Sequence, residues 1–199
     1  MSKPYNRKDT YYKQAKAEGY RSRAAYKLKE LHDKFKLFKK GDRVADLGCW
    51  PGGWVQVACG YVGESGKVIG VDLVECDPLP FSQALLISGD VRDDSTIAQL
   101  MEQAPDGFDL VISDMSPKHT GIREADVAAM SHCSELSLWA AQRLLKPGGH
   151  WVTKVFRNHE LGPFVQQARP YFEKVNQSGL KSTRKSSSEI YLIGMGYKG

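Results

Sequence analysis

The sequence predicts an α/β fold: a mostly parallel seven-stranded sheet with helices on both faces and an antiparallel last strand. Three observations predict it. Short apolar runs alternate with helical patterns from residue 43 to residue 168, the first of these runs turns through glycines into a helix, and the last two runs have no helical pattern between them. A chain of 199 residues, 41% hydrophobic, fills one sizeable core and is short for two, so one domain over 1–199 is expected, with a basic arm and helix at about 1–40.

Over 22–35, Ala24, Ala25, Leu28, Leu31 and Phe35 recur at helical spacing among Lys and Glu, which predicts an amphipathic helix. Gly41-Asp42 is a turn. Strands are predicted at 43–47, 67–73, 84–88, 108–113 and 150–156, with helices between them at about 53–61, 93–103, 124–145 and 161–168. Lys146-Pro-Gly-Gly149 reads as the stop of the long helix and a return to the sheet. Tyr171 to Asn176 and Glu189 to Met195 are strand-like runs joined by a serine-rich, basic loop, and are expected to pair as an antiparallel hairpin at one edge of the sheet. A parallel sheet finished in this way is the architecture of the Rossmann-like methyltransferases that use S-adenosyl-L-methionine (SAM).

Bulk properties exclude several classes. The four cysteines form no Cys-x-x-Cys pair, and the five histidines form no His-Glu-x-x-His set, so neither a disulfide framework nor a catalytic metal is expected. No apolar stretch approaches the ~18 residues of a membrane span, and residues 1–9 show no signal peptide, which points to a cytoplasmic, membrane-free protein. A monomer is expected. Charge is uneven: residues 1–40 hold 13 Lys or Arg against 4 Asp or Glu, and the remainder holds 15 against 19. Such an arm suits a polyanion, with Tyr5, Tyr11, Tyr12 and Tyr20 placed among the charges where they could stack on bases, or else it is a solvated tail. Lys13, Lys16, Arg21 and Arg23 are the expected phosphate contacts, and Lys181, Arg184 and Lys185 form a second basic stretch.

The glycine turn is Asp46-Leu-Gly-Cys-Trp-Pro-Gly-Gly-Trp54. Gly48, Gly52 and Gly53 permit positive φ and a close ligand, and the following helix offers unpaired N–H groups. Their spacing is not the Gly-x-Gly-x-x-Gly of a dinucleotide site, so a cofactor without phosphates, SAM, is the better match. Asp46, Asp72, Asp90 and Asp114 end predicted strands or follow them closely. Asp72, 24 residues after Gly48, is the expected ribose ligand, flanked by Leu73. Asp90 is placed to accept from the adenine amino group, with the Val91 N–H donating to a ring nitrogen; a helix N-cap is the competing role for Asp90. Pro51 belongs to the turn, and Trp54 either walls the pocket or sits in the core.

Lys154, flanked by Val152, Val155 and Phe156, stands near the end of one apolar strand as Asp114 follows another. A charge in such surroundings must be paired, desolvated or useful. Glu189 opens the last strand nearby. Together with Lys27 in Ala-Ala-Tyr-Lys-Leu, the glycine turn, Ser-Asp-Met-Ser-Pro, Val-Thr-Lys-Val-Phe and Ser-Ser-Glu-Ile-Tyr, these residues resemble the FtsJ/RrmJ ribose 2′-O-methyltransferases from about Tyr20 to Tyr197. The resemblance implies a Lys-Asp-Lys-Glu tetrad at Lys27, Asp114, Lys154 and Glu189, SAM as donor, and a uridine ribose of large-subunit (23S-type) ribosomal RNA as acceptor, within a large ribosomal subunit or its precursor. Cys49-Trp50 stands where that family usually has two small residues. On this reading Lys154 takes the hydroxyl proton or only positions the hydroxyl, Asp114 orients Lys154, and Lys27 and Glu189 place the hydroxyl. A transfer RNA ribose is the close alternative. A noncatalytic RNA-binding ribosome assembly factor is another. A base N-methyltransferase is disfavoured, because Asp114-Met-Ser-Pro replaces the polar-Pro-Pro-aromatic grip on a flipped base.

Overall fold

The computed structural model describes residues 10–117, 120–184 and 187–199. Seven strands form one sheet: β1 (Arg43–Leu47), β2 (Lys67–Asp72), β3 (Ala84–Ser88), β4 (Phe108–Ser113), β5 (Leu145–Phe156), β6 (Phe172–Ser178) and β7 (Glu189–Tyr197). Their spatial order is β3-β2-β1-β4-β5-β7-β6, with β7 antiparallel to both neighbours. This is the expected Rossmann-like methyltransferase fold, with the hairpin at the predicted edge. Strand order reverses between β1 and β4, and the carboxyl ends of those two strands frame the crevice in which such sheets bind ligands.

The helices are α1 (Thr10–Ala17), α2 (Ala25–Phe35), α3 (Gly53–Val62), α4 (Asp94–Gln103), α5 (Arg123–Leu144) and α6 (Leu161–Ala168). A sheet covered on both faces needs strands that are apolar throughout, and Val44, Ala45, Leu47, Leu110, Val111 and Ile112 are fully buried. On one face Leu28, Leu31, Val55, Ala58 and Val62 bring α2 and α3 onto the sheet. On the other, Leu100, Leu138, Leu144, Phe164 and Val165 bring α4, α5 and α6, and Trp151 stacks on Phe172 at 5.6 Å. Each buried Leu or Val stabilises the fold by about 1.5–3 kcal/mol before the entropy of ordering it is subtracted. Among the described residues no helix is long and apolar enough to cross a membrane.

Besides shifts of a few residues at other element ends, three features differ from expectation. The first amphipathic helix begins at Ala25 rather than residue 22, because residues 21–24 form turns. A helix absent from the sequence reading, α1, precedes it, and buries only Ala15. The fifth strand begins at Leu145, not His150: Leu145 pairs with Phe108, and a register shift between Phe108 and Leu110 absorbs Lys146 to Gly149. Gly148 takes φ +81° there, so the glycines act as a bulge inside the strand rather than as a stop before it.

Candidate active site

The glycine turn leaves β1 and enters α3. Gly48 has φ +76°, its N–H donates to the Val71 carbonyl at 2.8 Å, and a Cβ there would stand 2.5 Å from Met115 Cγ. Only glycine fits that position. Gly52, at φ +106°, caps α3, so the N–H groups of Gly53 and Trp54 in the first turn have no intrahelical partner. The Trp54 side chain belongs to the core: its Nε1 donates to the Ala24 carbonyl at 2.8 Å and its ring lies 5.9 Å from Tyr191. It ties α2 to the turn, which leaves only its backbone for a ligand.

Asp46 lies inside β1 rather than after it, is 1% exposed, and neither carboxylate oxygen has a partner. Burial, reinforced by Asp114 and Asp72, pushes its carboxyl well above the usual range. An unsatisfied acidic group beneath a glycine cradle suits a ligand that is cationic at that point. Asp72 ends β2 and accepts the Trp50 N–H on Oδ2 and the Val74 N–H on Oδ1, both at 2.9 Å, so one lone pair on each oxygen remains for a diol. Leu73 beside it is 69% exposed. Asp90 is different. Arg92 grips its carboxylate through Nε at 2.9 and 3.0 Å and through Nη2 at 2.5 Å, and this pairing outweighs burial to hold its carboxyl below the usual range. The side chain expected to read an adenine is thus committed to Arg92, and it caps no helix, because Asp93 is the N-cap of α4 and makes no side-chain cap bond. Val91 next to it is buried.

The four tetrad residues converge. Lys154 Nζ donates to the Asp114 carbonyl at 2.8 Å and stands 3.3 Å from Asp114 Oδ1. Lys27 Nζ, reaching in from α2, lies 3.8 Å from Asp114 Oδ2 and 2.7 Å from Glu189 Oε1. Burial pushes the Asp114 carboxyl up, but Lys154, Lys27 and a hydrogen bond from Tyr191 together hold it below the usual range. Tyr191 is the member that sequence reasoning missed. It is fully buried, and its hydroxyl lies 2.8 Å from Asp114 Oδ1, to which it donates, and 3.3 Å from Glu189 Oε1. The signal was available: Tyr191 stands two residues after Glu189 in a strand, hence on the same face. Thr183 Oγ1 also donates to Glu189 Oε1, at 3.2 Å.

The expected phosphate ligands divide. Lys13 and Lys16 are exposed on α1, and Lys181 is exposed on the loop before β7. Arg184 is half-buried in the same loop, whereas Lys185 lies outside the described residues, as does Tyr5. Arg21 is a correction: its guanidinium donates to the carbonyls of Asp77 and Pro78 at 2.6 Å and of Pro51 at 3.2 Å, clamping the glycine turn to the loop after β2. A rigid fork of donors suits three converging carbonyls as well as it suits a phosphate. Arg23 is likewise engaged, with Nη2 donating to the Ser182 carbonyl at 2.5 Å and the guanidinium 5.4 Å above the Tyr11 ring. Tyr11 and Tyr20 pack on Tyr26, at 5.4 and 6.0 Å, so of the described tyrosines expected to stack on bases only Tyr12 is exposed.

Known proteins resemble this chain over nearly its whole length. The model of the FtsJ-like methyltransferases matches residues 20–197. The ribosomal RNA large subunit methyltransferase E of Pseudomonas fluorescens is 42% identical over 192 residues, covering 96% of this chain and 91% of its own. The protein of the same name from Halorubrum lacusprofundi is 44% identical, covering 95% and 71%. Among solved structures, one described as a ribosomal RNA methyltransferase of Plasmodium falciparum superposes with a TM-score of 0.80 at 28% identity, covering 90% of this chain and all of that one.

Proposed function

Because the chain belongs to the FtsJ-like methyltransferase family, we propose that it is a SAM-dependent enzyme that methylates the ribose 2′-OH of a uridine in large-subunit ribosomal RNA. The observation that carries the chemistry is one carboxylate, Asp114 just after β4, held between Lys154 of β5 and Lys27 of α2, beside the glycine turn. The names of the relatives support ribosomal RNA as substrate. We read the protein as a cytoplasmic monomer with one catalytic domain, working on a large subunit or its precursor.

Asp46, Gly48, Gly52, Gly53, Asp72 and the backbone at Leu73 and Val91 would hold the donor. The unsatisfied Asp46 carboxylate faces the need of a cationic amino-acid end, and the free lone pairs of Asp72 suit ribose hydroxyls. When bound, SAM supplies a methyl group on a sulfonium centre, a strong electrophile. The protein must then present a sugar oxygen and relieve it of a proton. In its neutral form the Lys154 amine has two hydrogens and one lone pair. The hydrogens match the two Asp114 acceptors it already meets, and the lone pair is left for the hydroxyl. Lys27, neutralised by Glu189, places the hydroxyl and shields the carboxylates from each other. Holding the oxygen in line can contribute on the order of 7–11 kcal/mol at best.

The test is transfer from labelled SAM to isolated large subunits, free ribosomal RNA and transfer RNA, with the products digested to nucleosides. Label on a uridine ribose of the large-subunit RNA is expected, together with a loss of about 10²–10⁴ in rate for Lys154→Ala at unchanged RNA affinity. Label on a base, or full activity of Lys154→Ala, would overturn the assignment.

A further inference from the structure

Cys49 and Cys76 have no role in that reaction, yet the fold holds their sulfurs 3.8 Å apart. Cys49 follows Gly48 in the glycine turn and is buried, and Cys76 is half-buried in the loop that leaves β2 after Asp72. The segments that carry the two thiols are the same segments that would hold the methyl donor. We propose that Cys49 and Cys76 are a redox modification site: a two-electron oxidant of the peroxide class joins them in a reversible disulfide, and the cross-link closes the donor site. The inference rests on reading this cleft as the donor site.

A disulfide requires the sulfurs to close from 3.8 Å to about 2.05 Å. Cys49, buried in the turn, is the more tightly held of the two. Its N–H donates to the Val71 carbonyl at 3.2 Å, and its sulfur lies against Gly70 so closely that a Cβ there would come within 2.8 Å. The loop of Cys76 is therefore the part that moves. That loop is gripped by Arg21 at Asp77 and Pro78, and its Val74 N–H shapes the Asp72 carboxylate. Drawing Cys76 inward pulls against the Arg21 clamp and displaces the backbone beside the ribose ligand.

The chemistry balances. The Cys76 thiolate, the more accessible of the two, attacks one oxygen of the peroxide and the O–O bond breaks. The departing hydroxide takes up the proton Cys76 had released and leaves as water, and Cys76 becomes a sulfenic acid. The Cys49 sulfur then attacks the Cys76 sulfur, the S–S bond forms, the S–O bond breaks, and the second hydroxide leaves as water with the Cys49 proton. Two thiols have lost two electrons and two protons, and the peroxide has been reduced to two waters. Burial pushes both thiols up, so thiolate is scarce and the cross-link forms faster as pH rises.

The full-length reduced protein is treated with hydrogen peroxide, alkylated and mapped by mass spectrometry without reductant, and SAM binding is measured by calorimetry before oxidation, after it, and after dithiothreitol. The peptides of Cys49 and Cys76 are expected as one species lighter by two hydrogens, with SAM affinity reduced about tenfold or more and restored by reductant. Cys76→Ser, when reduced, should bind SAM as the parent does and be unmoved by peroxide. Both thiols remaining alkylatable, or a mapped cross-link that leaves SAM affinity unchanged, would overturn the proposal. A reduced parent that binds no SAM would instead overturn the reading of the cleft, and the mass map reports the cross-link independently of that result.

Discussion

Asp46 carries the least satisfied polar group in the described structure, and its side chain has a cost that ligand-free protein must bear. Its carboxyl is raised by burial, by Asp114 and by Asp72. An acid whose folded pKa is raised binds its proton more tightly folded than unfolded, so stability falls as pH rises above the ordinary 3.8 and keeps falling until the folded value is passed. Asp46→Asn is therefore expected to stabilise the ligand-free protein, more at about pH 8 than at about pH 5, at about 2–4 °C in melting temperature per kcal/mol, while weakening SAM binding. Thermal unfolding with and without SAM checks both halves, and a variant that melts lower or keeps full affinity contradicts the role given to this group. Tyr191 makes the opposite case, because its hydroxyl satisfies Asp114 at 2.8 Å. Tyr191→Phe should lower kcat about tenfold with little change in KM for either substrate, the value of a hydrogen bond to a charged group being about 1.5–3 kcal/mol. Steady-state kinetics decides it, and an unchanged kcat would reduce Tyr191 to packing. The contrast explains what was legible at this scale. Lys154, Asp114 and Glu189 declare themselves because charge at the end of an apolar run needs a reason, whereas a tyrosine inside a strand is an ordinary strand former. Arg21 and Asp90 show the converse: a charged side chain shows its type in the sequence but not its partner.

Helix α2 shows how an element outside the sheet brings a side chain to the carboxyl end of β4. It carries Lys27, and three contacts outside its own backbone fix it: Trp54 holds the Ala24 carbonyl, Arg23 holds the Ser182 carbonyl, and Glu30 accepts the N–H groups of Lys181 and Ser182 at 2.9 and 3.1 Å. Burial pushes the Glu30 carboxyl up, and those two N–H groups, with Lys34 and the Ser182 hydroxyl, outweigh it and bring it below the usual range. Glu30→Ala is expected to cost about 1–2 kcal/mol in urea unfolding, discounted for its partial exposure, and to lower activity through Lys27 and Glu189, which face each other across this junction. Equal stability of the two proteins would show the junction to be held by packing alone. Strands β1, β3 and β4 were legible to the residue because each is a short, mostly apolar run, buried in β1 and β4 and at the sheet edge in β3. Helix α1 was not, because it buries only Ala15 and has no apolar stripe to read. The start of β5 was not, because Pro-Gly-Gly reads as a terminator unless the bulge it makes against Phe108 is known.

At the scale of the molecule, both basic segments are tied to α2, the helix that carries Lys27: Tyr11 of α1 packs on Tyr26, and Glu30 and Lys34 reach the loop of Lys181. The exposed Lys13 and Lys16 belong to α1, and Glu30 and Lys34 tie α2 to the loop that carries Lys181, with Lys34 Nζ donating to the Gly179 carbonyl at 2.9 Å. Beyond residue 40 the chain holds 15 Lys or Arg against 19 Asp or Glu, so the first 40 residues carry the excess positive charge that would attract a polyanion. Each lysine that neutralises a phosphate releases counterion, so the logarithm of the RNA binding constant should fall linearly with the logarithm of salt concentration. Lys13→Ala and Lys16→Ala should each make that slope shallower by about 0.7 if the contacted strand is single, and lower affinity for all RNA sequences alike. Neither change touches the tetrad, so kcat at saturating RNA should stay at the parent value. Arg21→Ala should behave differently: with its guanidinium spent on three backbone carbonyls, its loss should raise KM for SAM and leave the salt slope where it was. Binding titrations over a salt series, run beside kinetics in both substrates, separate the two kinds of basic residue. A slope that shallows for Arg21→Ala but not for Lys13→Ala would mean that the phosphates lie along the turn between α1 and α2 rather than along α1.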